Sequence, residues 1–192
     1  MGGIGKSVLA AVLAWDDQVL QAFPDGVIWI SLGQKPNLPN RQLQLLQFLD
    51  KEHRAIKNEE DGKGCLKQLL SDRSCLIILD DVWSMDSFRA FDALGPDCRL
   101  LITTRDREIV RGMKARELCL DVLDEEKSMQ LLAISSGLRL EDLDPQAREV
   151  AEECYRLPLA LAMVGSMAKA AIDRGRSDPW GHILHRLRSA DL

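Results

Sequence analysis

Apolar positions along the chain recur with two different periods. Over residues 7–21, Val8, Leu9, Val12 and Leu20 keep helical spacing, which predicts an amphipathic helix. Behind the turn Pro24-Asp25-Gly26, residues 27–32 form a short β-branched and aromatic run, the pattern of a buried strand. Residues 38–49 return to helical spacing, 52–64 make a charged connector, and 65–70 predict a helix leading into the next strand. Residues 76–79 are four consecutive aliphatics ending at Asp80-Asp81. The run 99–103 repeats that design, with Leu100, Leu101 and Ile102 ending at Thr103-Thr104-Arg105. Residues 118–122 predict a last, weaker strand. Aliphatic strands buried on both faces and separated by helices predict a parallel sheet in an α/β layer fold.

From about residue 124 the pattern is helical throughout. Residues 125–135 predict one helix. Asp144 caps a second, with Pro145 at its first helical position. Residues 159–171 predict a third, and 178–187 a fourth containing Pro179. No internal repeat or low-complexity tract interrupts this order. The expected organisation is an α/β domain over residues 1–123 and a small helical subdomain over 124–192.

Composition narrows the class without adding chemistry. The chain has 192 residues, 46% hydrophobic and 29% charged, which excludes a disordered or collagen-like protein. A net charge of −5 gives no basic footprint for direct nucleic-acid binding, and 5% aromatics argue against a base-stacking platform. Cys65, Cys75, Cys98, Cys119 and Cys154 are odd in number and form no Cys-x-x-Cys, so neither a zinc knuckle nor a redox motif is expected. The apolar run 157–168 contains a proline and falls short of the roughly 20 residues a membrane span requires. The expectation is a soluble, cytoplasmic protein with no membrane partner.

The chemistry begins at Gly2-Gly3-Ile4-Gly5-Lys6-Ser7, followed directly by the first helix. Phosphate oxygens need several backbone N–H groups converging at close range, and glycine permits the positive φ angles that turn them inward. The helix N-terminus adds a favourable dipole, Lys6 a mobile cation and the Ser7 hydroxyl a metal ligand. Asp80 and Asp81 supply carboxylates at the C-terminal end of an aliphatic strand, where ligands bind in open parallel sheets and where a phosphate-bridging Mg²⁺ needs one. Asp80 is the candidate metal ligand, and Asp81 the candidate for orienting an attacking water. Arg105, at the end of the next strand, can contact a terminal phosphate and report its presence; read alone, it is equally a solvated arginine opening a loop. His182 and His185 form a surface pair, and Trp15, Trp29, Trp83 and Trp180 are packing residues.

Together these residues resemble the NB-ARC family of STAND-type P-loop signalling ATPases, which includes apoptotic protease-activating factors and plant disease-resistance proteins. The resemblance is carried by residues 1–10, by Gly26-Val27-Ile28-Trp29-Ile30-Ser31-Leu32 and by Leu76-Ile77-Ile78-Leu79-Asp80-Asp81-Val82-Trp83. It continues through Leu101-Ile102-Thr103-Thr104-Arg105-Asp106 to Leu157-Pro158-Leu159-Ala160-Leu161. It implies a three-layer P-loop NTPase sheet and an adenine-nucleotide switch, ADP-bound off and ATP-bound on, with slow hydrolysis and self-association of the parent protein. It places phosphate binding on Gly3, Ile4, Gly5, Lys6, Ser7 and Val8, and Mg²⁺ on Ser7 and Asp80. Hydrolysis falls to Asp81, phosphate sensing to Arg105, and Pro158 packs near the adenosine.

Three departures accompany the resemblance. Arg156 stands where the family usually has glycine. The chain ends ahead of the family's winged-helix unit. It also begins within the phosphate-loop motif, whose first glycine would lie just ahead of Met1, so the sheet is expected to lack its first strand. About three or four buried aliphatics on that strand, at ~1.5–3 kcal/mol each, are comparable with the ~5–15 kcal/mol net stability of a domain. The chain is therefore expected to be poorly stable alone, or a piece of a longer reading frame. Two other readings stay open on the residues. One is a conventional P-loop enzyme, such as a small-molecule kinase or a nucleic-acid-dependent ATPase; the other is a degenerate fragment that binds nothing.

Overall fold

The computed structural model describes residues 2–52, 55–113 and 115–189. They fall into two compact units, Lys6–Leu118 and Cys119–Leu192 together with Met1–Gly5. None of the described helices is long and apolar enough to cross a membrane.

The first unit is α/β. It runs α1 (Lys6–Ala14), α2 (Asp17–Ala22), β1 (Val27–Gly33), α3 (Leu38–Leu49), α4 (Glu59–Leu70), β2 (Leu76–Val82), α5 (Met85–Arg89), β3 (Arg99–Thr104) and α6 (Arg107–Met113). The three strands form a parallel sheet in the order β1-β2-β3. Because side chains alternate along a strand, the sheet divides its core. Ile28, Ile30, Leu32, Ile77 and Leu79 pack with Leu45, Leu46, Leu66, Leu70 and Phe91 on one side, while Leu76 and Ile78 meet Ala10 of α1 on the other.

The central strand β2 is the one buried on both faces: Ile77, Ile78 and Leu79 expose nothing. The edge strands differ from that expectation. In β1, Ile28, Ile30 and Leu32 are buried but Trp29 is 37% exposed, bordering a groove of about 400 Å³ lined by Ala11, Ala14, Trp15, Leu20, Val27 and Trp29. β3 is half-buried over Leu100, Leu101 and Ile102, and Thr103 is its buried residue.

Local polar groups set boundaries that apolar spacing misses. The helix expected over 7–21 is two helices, because the Asp16 carboxylate accepts from the N–H groups of Gln18 at 2.9 Å and Val19 at 3.3 Å and starts α2 afresh. The stretch 52–64 read as connector already contains the first half of α4. Asn58 accepts from the Asp61 N–H at 2.9 Å, and Glu59, Glu60 and Asp61 lie in the first turn, where acidic charge suits the helix dipole. The short helices α5 and α6 were not expected. Residues 118–122 form no strand, and Leu118 is 75% exposed.

The second unit is helical: α7 (Glu125–Ser136), a 3₁₀ turn (Leu140–Asp142), α8 (Gln146–Glu153), α9 (Pro158–Asp173) and α10 (Pro179–Ser189). Leu132, Val150, Leu161, Val164, Trp180 and Ile183 are in its core. Gly165 of α9 lets α7 and α9 touch, since a Cβ there would stand 2.5 Å from Ser135 Cβ. Asp144 performs the expected capping, its carboxylate accepting from the Gln146 N–H at 2.8 Å.

α8 ends in a Schellman pattern. Tyr155 N–H donates to Glu152 O at 2.8 Å and Arg156 N–H to Ala151 O at 3.0 Å. Both Tyr155 and Arg156 are left-handed, at φ 51° and 52°. Arg156 thus occupies a conformation that favours glycine, the residue the resemblance expects there.

Candidate functional site

The site in the α/β unit is built where β2 and β3 fall out of step. Leu79 pairs with Ile102, but Val82 pairs with Thr104, so Asp80 and Asp81 together face the single residue Thr103. This is a β-bulge, one extra residue on β2 that re-aims the side chains beside it. The extra length is absorbed at Asp81, which takes φ 59°. A left-handed non-glycine residue is uncommon and persists where its surroundings over-determine it.

Two hydroxyls meet at this bulge. Ser7 Oγ, in the first turn of α1, donates to Asp80 Oδ1 at 2.6 Å, and Thr103 Oγ1 donates to the same oxygen at 2.6 Å. Thr103 Oγ1 also accepts from the Asp81 N–H at 2.9 Å. One residue further along β3, Thr104 Oγ1 donates to Val82 O at 2.7 Å and accepts from the Asp106 N–H at 3.1 Å, fixing the turn that presents Arg105. Arg105 Nε lies 3.8 Å from Asp81 Oδ1, and its guanidinium carbon is 5.4 Å from the centre of the Trp83 ring.

The α/β unit thus brings together four of the expected residues, Ser7 with Asp80 and Asp81 with Arg105. Lys6 is half-buried at the start of α1, while Val8 is 67% exposed. Gly3 and Gly5 have the positive φ the loop requires, 73° and 97°. Gly3, Ile4 and Gly5 group with the helical unit, as does Pro158, the first residue of α9. There the Gly3 carbonyl accepts from the Leu159 N–H at 3.1 Å, satisfying one of the amides that a helix N-terminus leaves open. Leu157, the N-cap residue of α9, makes no side-chain cap bond.

Two residues of the site have roles that the sequence alone does not assign. Thr103 ends its strand in the sequence pattern, but its role depends on the bulge, which the sequence does not display. Trp83 was read as packing, yet it is 36% exposed and faces Arg105.

The donor set suits the ligands expected of it. A serine hydroxyl and a carboxylate are hard oxygen donors of the type that Mg²⁺ prefers. Backbone amides of a glycine loop running into a helix N-terminus favour phosphate.

Comparison with known proteins agrees with this geometry. Residues 1–138 match the NB-ARC domain family. Over 98% of its length the chain is 35% identical to apoptotic protease-activating factor 1 of Danio rerio, and 31% identical to the protein of that name in Homo sapiens. It is 30% identical, again over 98% of its length, to a probable disease resistance protein of Arabidopsis thaliana. The chain spans 15%, 16% and 23% of the length of these three relatives. With the family match covering most of the chain and the motif residues gathered as described, the protein belongs to the NB-ARC family, a class of nucleotide-binding signalling modules.

Proposed function

We propose that this chain is the nucleotide-holding part of a signalling switch, off with ADP, on with ATP, and slow to hydrolyse. The observation that carries the reading is the 2.6 Å hydrogen bond between Ser7 and Asp80, residues 73 apart in sequence that come from the phosphate loop and the acidic strand tip.

Backbone amides of Gly3, Ile4, Gly5, Lys6, Ser7 and Val8 would bind phosphate oxygens, with the Lys6 ammonium adding charge. Ser7 and Asp80 would hold Mg²⁺, which when bound neutralises phosphate charge. Asp81 would orient water for hydrolysis, and Pro158 would pack beside the adenosine. Arg105 supplies a switch element. Its pairing with Asp81 is solvent-exposed, and such a pair is worth ~0.2–1 kcal/mol. A charge-assisted contact with a terminal phosphate is worth ~1.5–3 kcal/mol. A nucleotide carrying that phosphate therefore draws Arg105 away, and this differential affinity is what a two-state device requires. The working division is residues 1–123 and 124–192, and the parent protein acts in the cytoplasm and self-associates when ATP-bound.

Titrating ADP into the wild type and Lys6→Ala tests this reading. Loss of the ammonium is expected to weaken binding about ten- to a hundredfold, the equivalent of one charged contact. Equal affinity sinks the phosphate-loop assignment. Co-purified ADP, and turnover far below the ~1–100 s⁻¹ of kinases, are expected of the switch; kinase-like turnover with an acceptor would overturn it.

A further inference from the structure

We propose that Thr103 is the positioning residue of this site, setting the direction of the Asp80 carboxylate and the backbone of Asp81 with one hydroxyl. The proposal rests on the nucleotide and metal reading above.

A hydroxyl has one proton to donate and two lone pairs to accept with, and Thr103 uses both capacities across the bulge. Its proton goes to Asp80 Oδ1 at 2.6 Å, and its oxygen receives the Asp81 N–H at 2.9 Å. The first bond supplements the one from Ser7, so a single carboxylate oxygen is held by donors from α1 and β3. Two donors from different elements restrict rotation of the carboxylate more tightly than either does alone. The second bond acts on the main chain. Asp81 sits at φ 59°, a conformation that needs external support, and the described partner of its amide is the Thr103 hydroxyl.

Thr103 is 6% exposed, so water does not readily replace it. Its β-branched side chain is stiff at χ1, which holds the hydroxyl in one place. The two acidic residues are adjacent in sequence but have separate tasks, and Thr103 fixes their relative orientation from the neighbouring strand. It touches neither phosphate nor metal in this role.

Thr103→Val keeps the branched shape and removes the hydroxyl; Thr103→Ser keeps the hydroxyl. ADP affinity of wild type, both variants and Lys6→Ala is measured by calorimetry with Mg²⁺ and with chelator, alongside amide hydrogen exchange at Asp81. Thr103→Val is expected to weaken ADP binding about five- to tenfold with Mg²⁺, the value of one hydrogen bond, and less than twofold without it. Asp81 is expected to exchange at least tenfold faster in Thr103→Val, and Thr103→Ser to restore both readouts. Equal weakening with and without Mg²⁺, an unchanged exchange rate, or failure of serine to rescue would each overturn the proposal. If wild type binds no ADP, or Lys6→Ala binds as well as wild type, the nucleotide reading fails instead. Exchange at Asp81 then still decides whether Thr103 holds the bulge.

Discussion

The two units both contain left-handed non-glycine residues, and they support them differently. In the α/β unit Asp81 is held by a side chain, the Thr103 hydroxyl, at a bulge that also aims Asp80. In the helical unit Tyr155 and Arg156 are held by main-chain hydrogen bonds to Glu152 and Ala151 that close α8. Strain held by a side chain lies beside functional groups and changes with that side chain. Strain held by backbone bonds does not depend on which side chain carries it, so the sequence is at liberty to relieve it.

The largest effect expected within the helical unit is where α7 and α9 touch. Gly165→Ala would place a methyl group 2.5 Å from Ser135 Cβ, forcing α7 and α9 apart. Overpacking of this kind costs about 1–3 kcal/mol, read as a lower urea midpoint at unchanged slope. An unchanged midpoint would mean the seam is looser than described.

Arg156→Gly sharpens the contrast at smaller scale. It relieves a left-handed residue whose described hydrogen bonds are main-chain, and is expected to stabilise by about 0.5–1 kcal/mol, raising the melting temperature. A lower melting temperature would show that the Arg156 guanidinium, which helps hold the Asp124 carboxyl below its ordinary pKa, outweighs the strain.

The smallest effect is electrostatic. Asp124 caps α7, and its carboxyl is held below its ordinary value of 3.8 chiefly by the Lys127 backbone N–H, then by the Lys127 side chain. Since the folded value is depressed, this contribution is present above the unfolded value and disappears as pH falls through the folded one. Below about pH 4, the wild type is expected to lose stability faster than Asp124→Asn, which caps without titrating. Parallel acid limbs for the two proteins would remove Asp124 from the account.

The same contrast explains what could be read from sequence. In the helical unit, apolar spacing located α8, α9 and α10, aided by Asp144 and Pro179 at the starts of the first and last, because each helix buries one stripe. In the α/β unit the aliphatic runs located all three strands. Asp16 and Asn58, however, start helices inside stretches whose apolar pattern suggested continuity or none. Residues 118–122 are apolar enough to suggest a strand, but strand formation also requires a neighbour to pair with. Within the site, Ser7, Asp80, Asp81 and Arg105 were legible because their chemistry ends recognisable elements. Thr103 was not, because a bulge is a mismatch between two strands and neither strand's own sequence displays it.

The bond from the Leu159 amide to the Gly3 carbonyl joins main chain to main chain. Substitution at position 159 therefore passes over it: every residue type but proline presents the same N–H. The link between the opening of the loop and α9 is thus inherited with the backbone trace, and adaptation of neighbouring side chains leaves it in place.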